Sequence, residues 1–307
     1  MSVSPSVIEL QALAQSWALS LRADRKSPQT LKAYGDGVRF YLAWCLEQDA
    51  EPLQRASIRA WVTDLLDSGA AASTARSRQL AVRRFSAWLE DEGEIAADPF
   101  LGVKAPKLDQ TVVEPLTEDE LRALLKACLP AKGSTRAEAM RDRRDEAIIR
   151  LMLETGARAG EVVAMSLADV DPQTSTAIIR RGKGGKGRVI PLSANAVMAI
   201  DRYLRHRREH RLAESEHLWL GDRGKQFRYD GLHKSLKMRA ERAGIDRFHP
   251  HMLRHTAAHR WLAAGGSESG LMAVAGWTRP DMLMRYTKAQ ASARAAEEAK
   301  RLNLGEL

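Results

Sequence analysis

Residues 249–288 read HPHMLRHTAAHRWLAAGGSESGLMAVAGWTRPDMLMRYTK, and this stretch decides how the rest of the chain is read. His251 and Arg254 stand three apart, so on a helix they share one face and both can point at a single phosphate. Arginine is the better anchor, because its planar fork matches two phosphate oxygens. Trp277 follows Gly276 and offers one indole N–H donor. Tyr286 comes nine residues after that tryptophan, at the end of what reads as a phosphate-handling surface. A phenol with pKa ~10 is a weak nucleophile at neutral pH and needs positive neighbours or a base. His251 and Arg254 would supply such neighbours.

Two further motifs lie upstream. In Thr155-Gly-Ala-Arg158-Ala-Gly-Glu161, Gly156 suits the end of one helix and Gly160 the start of the next. Arg158 falls in that junction, near free helix N–H groups, with Glu161 one turn beyond. Taken alone, this is an ordinary helix cap with a local ion pair. In AIIRRGKGGKGRVIPL (177–192), alternation, β-branched residues and a Gly/Lys turn read as a hairpin over roughly 177–181 and 187–192. Its tip carries Lys183, Lys186 and Arg188. Taken alone, those residues make a soluble turn.

The ordered set PHMLRHT, Gly276-Trp277 and Tyr286, joined by the two upstream motifs, resembles the tyrosine recombinases, the phage integrase family. The family pattern T-G-x-R-x-x-E implies that Arg158 is the first catalytic arginine and that Glu161 supports it; Ala157 stands where the family usually has Leu. The pattern G-K-G-x-K-x-R implies a catalytic lysine on the hairpin. Lys183 is the better match and Lys186 the rival, and under the same resemblance Lys186 and Arg188 read as contacts to DNA. An ammonium can protonate a leaving alkoxide, which a guanidinium does not readily do. The resemblance further implies that Tyr286 attacks the scissile phosphodiester and forms a 3′-phosphotyrosyl link, while Arg158, Arg254, His251 and Trp277 hold the phosphate. The bond energy stays in the phosphotyrosine, so no cofactor, metal or nucleotide is expected. Many family members carry His where Trp277 stands; indole donates but cannot shuttle a proton, so that work would fall on His251 or Lys183.

Bulk composition agrees with a DNA partner. The 307-residue chain is long enough for two domains and carries a net charge of +9. Residues 1–109 hold 13 Lys and Arg against 14 Asp and Glu, whereas residues 110–307 hold 35 against 25. A basic excess of this kind favours a polyanion. Cys45 and Cys128 are too few for a disulfide framework and read as small core residues in a reduced compartment. No signal-peptide pattern and no apolar run near 18 residues is seen, so a cytoplasmic location without membrane insertion is expected. His217 and His233 stand alone, and His255 and His259 are four apart with no third ligand in view, so no metal is assigned.

The expected fold is mainly α with a small β-hairpin. Four helices over residues 6–22, 28–45, 54–67 and 73–92 make a small bundle, the SAM-like core-binding domain of the family, followed by an α+β catalytic domain. Ser73-Thr74 reads as the cap of the fourth helix, and Gly35 and Gly37 weaken the second. On the fourth helix Arg76, Arg78, Arg83 and Arg84 read as surface arginines from composition, and as contacts to phosphates or bases under the family resemblance. The Pro-interrupted residues 94–116 read as an interdomain connection. The domains are expected at 1–105 and 117–307 with the linker proper over 106–116. Thr117 and Glu120 form a capping box, KGSTRAEAMRDRRD (132–145) reads as a polar connection, and residues 193–213 and 230–244 as helices. The RHRREHR run at 205–211 reads as a solvated face.

After Tyr286 comes an Ala-rich helical tail with little core of its own to fill. The resemblance implies that this tail docks on an adjacent protomer, giving a tetramer on paired DNA sites, with an accessory directionality factor as a further partner. The chain begins directly with the bundle, so short and simple recombination sites are expected. Trp277 fits the diverse integrases of phages and mobile elements better than a chromosome-dimer resolvase. Resolvase, type IB topoisomerase and inactive DNA-binding regulator are the other readings that the same residues allow.

Overall fold

The computed structural model describes residues 5–108, 114–180, 187–221, 226–279 and 283. The chain divides into two compact units, Met1–Thr111 and Val112–Leu307. Tyr286, Lys183, Lys186 and the Ala-rich tail lie outside the described residues.

The first unit holds α1 (Val7–Ala23), α2 (Pro28–Glu47), α3 (Arg55–Asp67) and α4 (Ala72–Asp91). Ser6 caps α1 in a capping box with Glu9, and Ser27 caps α2 ahead of Pro28. Leu10, Trp17, Val38, Tyr41, Ile58, Trp61, Phe85 and Leu89 meet in one core. Burying a side chain of this size contributes ~1.5–3 kcal/mol. The cap expected at Ser73-Thr74 is not formed: α4 starts at Ala72 behind Ala71, with no side-chain cap bond. The span 94–105 is more ordered than an interdomain connection, since Phe100 and Val103 are buried in the same core. Asp98 accepts from Ser86 Oγ at 2.5 Å and from the Phe100 N–H at 2.8 Å, and Arg55 donates to the carbonyls of Pro99 and Leu101, each at 2.7 Å.

Helix α2 runs unbroken through both of its glycines. The two differ in surroundings. A Cβ on Gly37 would lie 2.6 Å from Ala81 Cβ on α4, whereas one on Gly35 would meet nothing within 4 Å. Gly37 is therefore what lets α2 and α4 approach.

The second unit contains α5 (Glu118–Lys126), α6 (Arg136–Thr155), α7 (Ala159–Val163), the strands β1 (Val170–Asp171), β2 (Thr176–Ile179) and β3 (Arg188–Pro191), then α8 (Ala194–Arg207), α9 (Tyr229–Arg242), α10 (His251–Ala263) and α11 (Glu268–Ala275). The strands form one antiparallel sheet in the order β1-β2-β3, with Ile179 opposite Arg188 and Ala177 opposite Ile190. The hairpin stands where alternation placed it; β1, only two residues long, left no periodic signal. The segment 132–145 is not a connection throughout, because Thr135 and Glu138 form a capping box and α6 starts at Arg136. Its first turns are polar because they hold a buried charge network rather than an apolar stripe. Asp145, fully buried, accepts from Arg144 Nη2 at 2.9 Å, Arg239 Nε at 2.9 Å and Ser235 Oγ at 2.7 Å. Arg239 also pairs with Asp142 at 2.6 Å. Helix α8 ends at Arg207, short of the 213 expected. Arg207 is buried, and its guanidinium binds the carbonyls of Ala213, Ser215, His217 and Leu218 at 2.5–3.1 Å. The run read as solvated thus contains an inward clamp that turns the chain back. Cys45 and Cys128 are buried and unbridged. Among the described residues, no helix is long and apolar enough to cross a membrane.

The two glycines of α2 give opposite expectations. Gly37→Ala should destabilise the protein by ~1–3 kcal/mol through overpacking against Ala81. Gly35→Ala should stabilise it by ~0.5–1 kcal/mol through helix propensity. Urea unfolding of the two variants checks both signs.

Candidate active site

The site is assembled where helix ends converge. Helix α6 stops at Gly156, which takes a left-handed conformation (φ 57°, ψ 19°) that glycine adopts without a Cβ penalty. Thr155 Oγ1 donates to the Leu151 carbonyl at 2.6 Å and accepts from the Ala157 N–H at 3.1 Å, which fixes the turn. Arg158 then occupies the N-cap position of α7. Glu161, one turn on, accepts from the Arg158 backbone N–H at 3.0 Å through Oε2 and from Arg158 Nη1 at 2.8 Å through Oε1. Gly160 has open space around it and no special conformation, so the second glycine of the motif is not what starts the helix.

Arg254 lies on α10 and is 1% exposed. Its Nη1 donates to the carbonyl of Gly156 and, at 2.8 Å, to that of Ala275, the last residue of α11. One guanidinium nitrogen thereby satisfies the C-terminal carbonyls of two helices, which carry partial negative charge. The guanidinium carbon lies 5.2 Å from the centroid of the Trp277 ring. Trp277 is 5% exposed and packs with Ala258, Leu262, Leu271 and Ala275. The tryptophan expected as a phosphate donor is thus first a core residue that backs Arg254.

His251, at the start of α10, is solvent-exposed. Loss of hydration beside its neighbours and the positive charges of Arg254, His249 and Arg158 hold its imidazole below the usual histidine range. That Arg158 acts on His251 is informative, because the two come from separate motifs. The i, i+3 spacing puts His251 and Arg254 on adjacent surface of α10, but at different depths: the arginine is anchored inside and the histidine faces out.

Arg188, expected at the hairpin tip as a contact to DNA, is turned inward at the start of β3. Its side chain is 11% exposed, donating from Nη2 to Glu161 Oε2 at 2.8 Å and from Nε to the Val274 carbonyl at 2.8 Å. Burial pushes the Glu161 carboxyl up, but the hydrogen bonds from Arg188 and Arg158 outweigh it and hold the group below the usual carboxylate range. In the sequence, Arg188 is set apart from its lysine neighbours only as the arginine that closes the G-K-G-x-K-x-R pattern, and nothing there gave its direction. Thr256, the last residue of the LRHT run, is buried and accepts from the Leu116 N–H at 2.9 Å, tying the entry of the second unit to α10.

In the first unit Arg76 is exposed and reaches the Pro106 carbonyl at 3.4 Å. Arg78 lies over the Phe40 ring with its guanidinium 4.6 Å from the centroid, and Arg83 is half-buried. Among the described residues no group of His, Cys, Asp and Glu is placed to hold a metal ion.

Comparison with known proteins defines the class. The pattern of the phage integrase family matches residues 114–293, and that of the phage integrase N-terminal SAM-like domain matches residues 14–93. The chain belongs to the phage integrase family, the tyrosine recombinases. Among relatives, it is 33% identical over 221 residues to tyrosine recombinase XerC of Roseiflexus sp. (strain RS-1), covering 71% of this chain and 68% of that protein. It is 30% identical over 263 residues to tyrosine recombinase XerC of Chromobacterium violaceum, covering 85% of each. Among solved structures, the Tn1549 transposon integrase in complex with transposon right-end DNA superposes with a TM-score of 0.70 at 19% identity, covering 97% of this chain and 100% of that one.

Because the folded protein disfavours protonation of His251, the unfolded chain binds more protons below about pH 6.5, and stability should fall as pH drops through that range. His251→Gln should flatten this dependence, read by urea unfolding at about pH 7.5 and about pH 5.5. An NMR titration of the ring that showed a pKa above that of a free histidine would contradict the assignment.

Proposed function

We propose that this protein is a site-specific recombinase that cuts and rejoins duplex DNA through a 3′-phosphotyrosyl intermediate, integrating and excising a phage or mobile element. The observation that carries the reading is the bond from Arg254 to the Gly156 carbonyl, which brings the motif that holds His251 and Arg254 against the motif that holds Arg158. A scissile phosphate set among them would meet two guanidiniums whose geometry is fixed in advance, Arg158 by Glu161 and Arg254 by two carbonyls.

Tyr286 Oη attacks phosphorus as the 3′ side of the scissile bond becomes linked to the tyrosine and the 5′ oxygen departs. Lys183, with Lys186 as the rival, gives that oxygen its proton. His251, whose surroundings disfavour its protonated form, can take the tyrosine proton. Trp277 supports Arg254 from behind and shuttles no proton. A 5′-hydroxyl of the partner duplex then attacks the phosphotyrosine, releasing the phenol and exchanging strands. No cofactor enters this sequence. The basic excess after residue 109 suits a DNA partner, and Arg76, Arg78 and Arg83 on α4 would add contacts from the first unit. Residues 1–105 would then act as the core-binding domain, 106–116 as the linker and 117–307 as the catalytic domain. Residues after Tyr286 would join protomers into a tetramer on DNA, in the bacterial cytoplasm, with a directionality factor as a further partner.

Dimer resolution is a second reading, favoured by the XerC relatives. Resolution of plasmid multimers, with no circular element excised, would select it.

Nicked duplexes drawn from DNA flanking the gene should trap a covalent adduct, seen as a shift on a denaturing gel. Tyr286→Phe should abolish it; equal behaviour of the two proteins would end the catalytic reading. Lys183→Ala should slow adduct formation ~10²–10⁴-fold. A 5′-bridging phosphorothiolate, whose thiolate leaves without protonation, should restore that rate.

A further inference from the structure

We infer that Arg188 is a positioning residue that takes up the negative charge of Glu161, so that the positive charge of Arg158 stays available to the substrate phosphate. The inference rests on the proposed recombinase reading and concerns a residue that acts on the phosphate only through its neighbours.

Glu161 is 6% exposed at its side chain and faces two guanidiniums, Arg158 on one oxygen and Arg188 on the other. The cluster of one carboxylate and two guanidiniums carries a net charge of +1. Arg158 remains 27% exposed within it, whereas Arg188 is 11% exposed and committed to protein partners. Without Arg188 the buried carboxylate would be matched by Arg158 alone, and a phosphate would approach a neutral pair. Glu161 must nevertheless stay, because it holds both the backbone and the guanidinium of Arg158.

The surroundings are shaped for this guanidinium. Its Nε is fixed by the Val274 carbonyl at 2.8 Å, near the end of α11. Gly276, with φ +63°, leaves the space that it fills: a Cβ there would lie 2.8 Å from Arg188 Nη1 and 2.9 Å from Cζ. The first residue of β3, the acid behind Arg158 and the end of α11 are therefore joined through one side chain. A lysine could supply the charge but not both directed bonds, since it lacks the planar fork.

The test is a cycle of variants in the adduct assay, with DNA affinity measured separately. Arg188→Gln should slow adduct formation ~10²-fold, the scale for loss of one preorganised charge donor. Affinity should change by less than about threefold, because binding sums over many phosphate contacts. Glu161→Gln alone should also slow the reaction, as Arg158 loses its anchor. Combined with Arg188→Gln it should instead restore about tenfold over Arg188→Gln, since the uncompensated carboxylate is gone. A merely structural role for Arg188 predicts no such recovery. Arg188→Lys should retain most activity and gain nothing from Glu161→Gln. If Arg188→Gln fails to fold, the lysine variant decides: activity kept upholds the inference, and activity lost overturns it. Wild-type rates for Arg188→Gln, with Tyr286→Phe inactive, would overturn the inference and leave the recombinase reading standing. Absence of any Tyr286-dependent adduct in the wild type would instead defeat that reading.

Discussion

The catalytic unit depends on a buried guanidinium that sits between two helix ends. Arg254 is 1% exposed and binds the terminal carbonyls of α6 and α11 together. Carbonyls at a helix C-terminus lack partners within the helix, and burying them unpaired is costly. A charged donor answers both the hydrogen-bonding deficit and the partial negative charge of the helix dipoles. The arrangement needs Gly156 to turn the chain tightly at the end of α6. The backbone there passes close to Ala275, Ala257 and the stem of Arg254, each within 4 Å of where a Cβ would stand.

From that point the other groups follow in sequence. The turn at Gly156 delivers Arg158 to the N-cap of α7, and Glu161 secures it. The end of α11 delivers Gly276 and Trp277, the first leaving room for Arg188 and the second backing Arg254. His251 needs no anchor of its own, since the helix that buries Arg254 presents it to solvent one turn earlier. The position of α6 is in turn held by Asp145, fully buried between Arg144 and Arg239. Removing one partner from such a network leaves an uncompensated buried charge, which is why it can hold the frame more firmly than a surface ion pair could.

The electrostatics divide the arginines by role. Arg144, Arg207 and Arg239 are buried and bound to carboxylates or carbonyls, so their charges are spent inside the fold. Arg158 keeps part of its surface in contact with solvent. Arg188 belongs with the first group although its sequence neighbours are lysines of a turn. A count of basic residues therefore overstates the charge available to a polyanion, and the useful part is the set that keeps contact with solvent, Arg158 among them.

Amphipathic periodicity was enough to place the four helices of the first unit and most of the second, because a helix in a small bundle must bury one stripe. The capping box at Thr117 marked α5 for the same local reason, whereas the box at α1 drew no reading and the one at α6 was passed over because its polar first turns carry buried salt bridges. Spacing brought out His251 and Arg254 as chemically distinctive, whereas Arg158 and Glu161 read alone as an ordinary helix cap and stood out only through the family resemblance. What local sequence does not encode is which way a long side chain turns. Arg188 and Arg207 pointed inward, and Trp277 became core, only because carbonyls, a carboxylate and a cavity from distant segments were already there to receive them. Depth and direction at these positions are properties of the packed structure, where the cost of an unpaired polar group is set by neighbours far away in the chain.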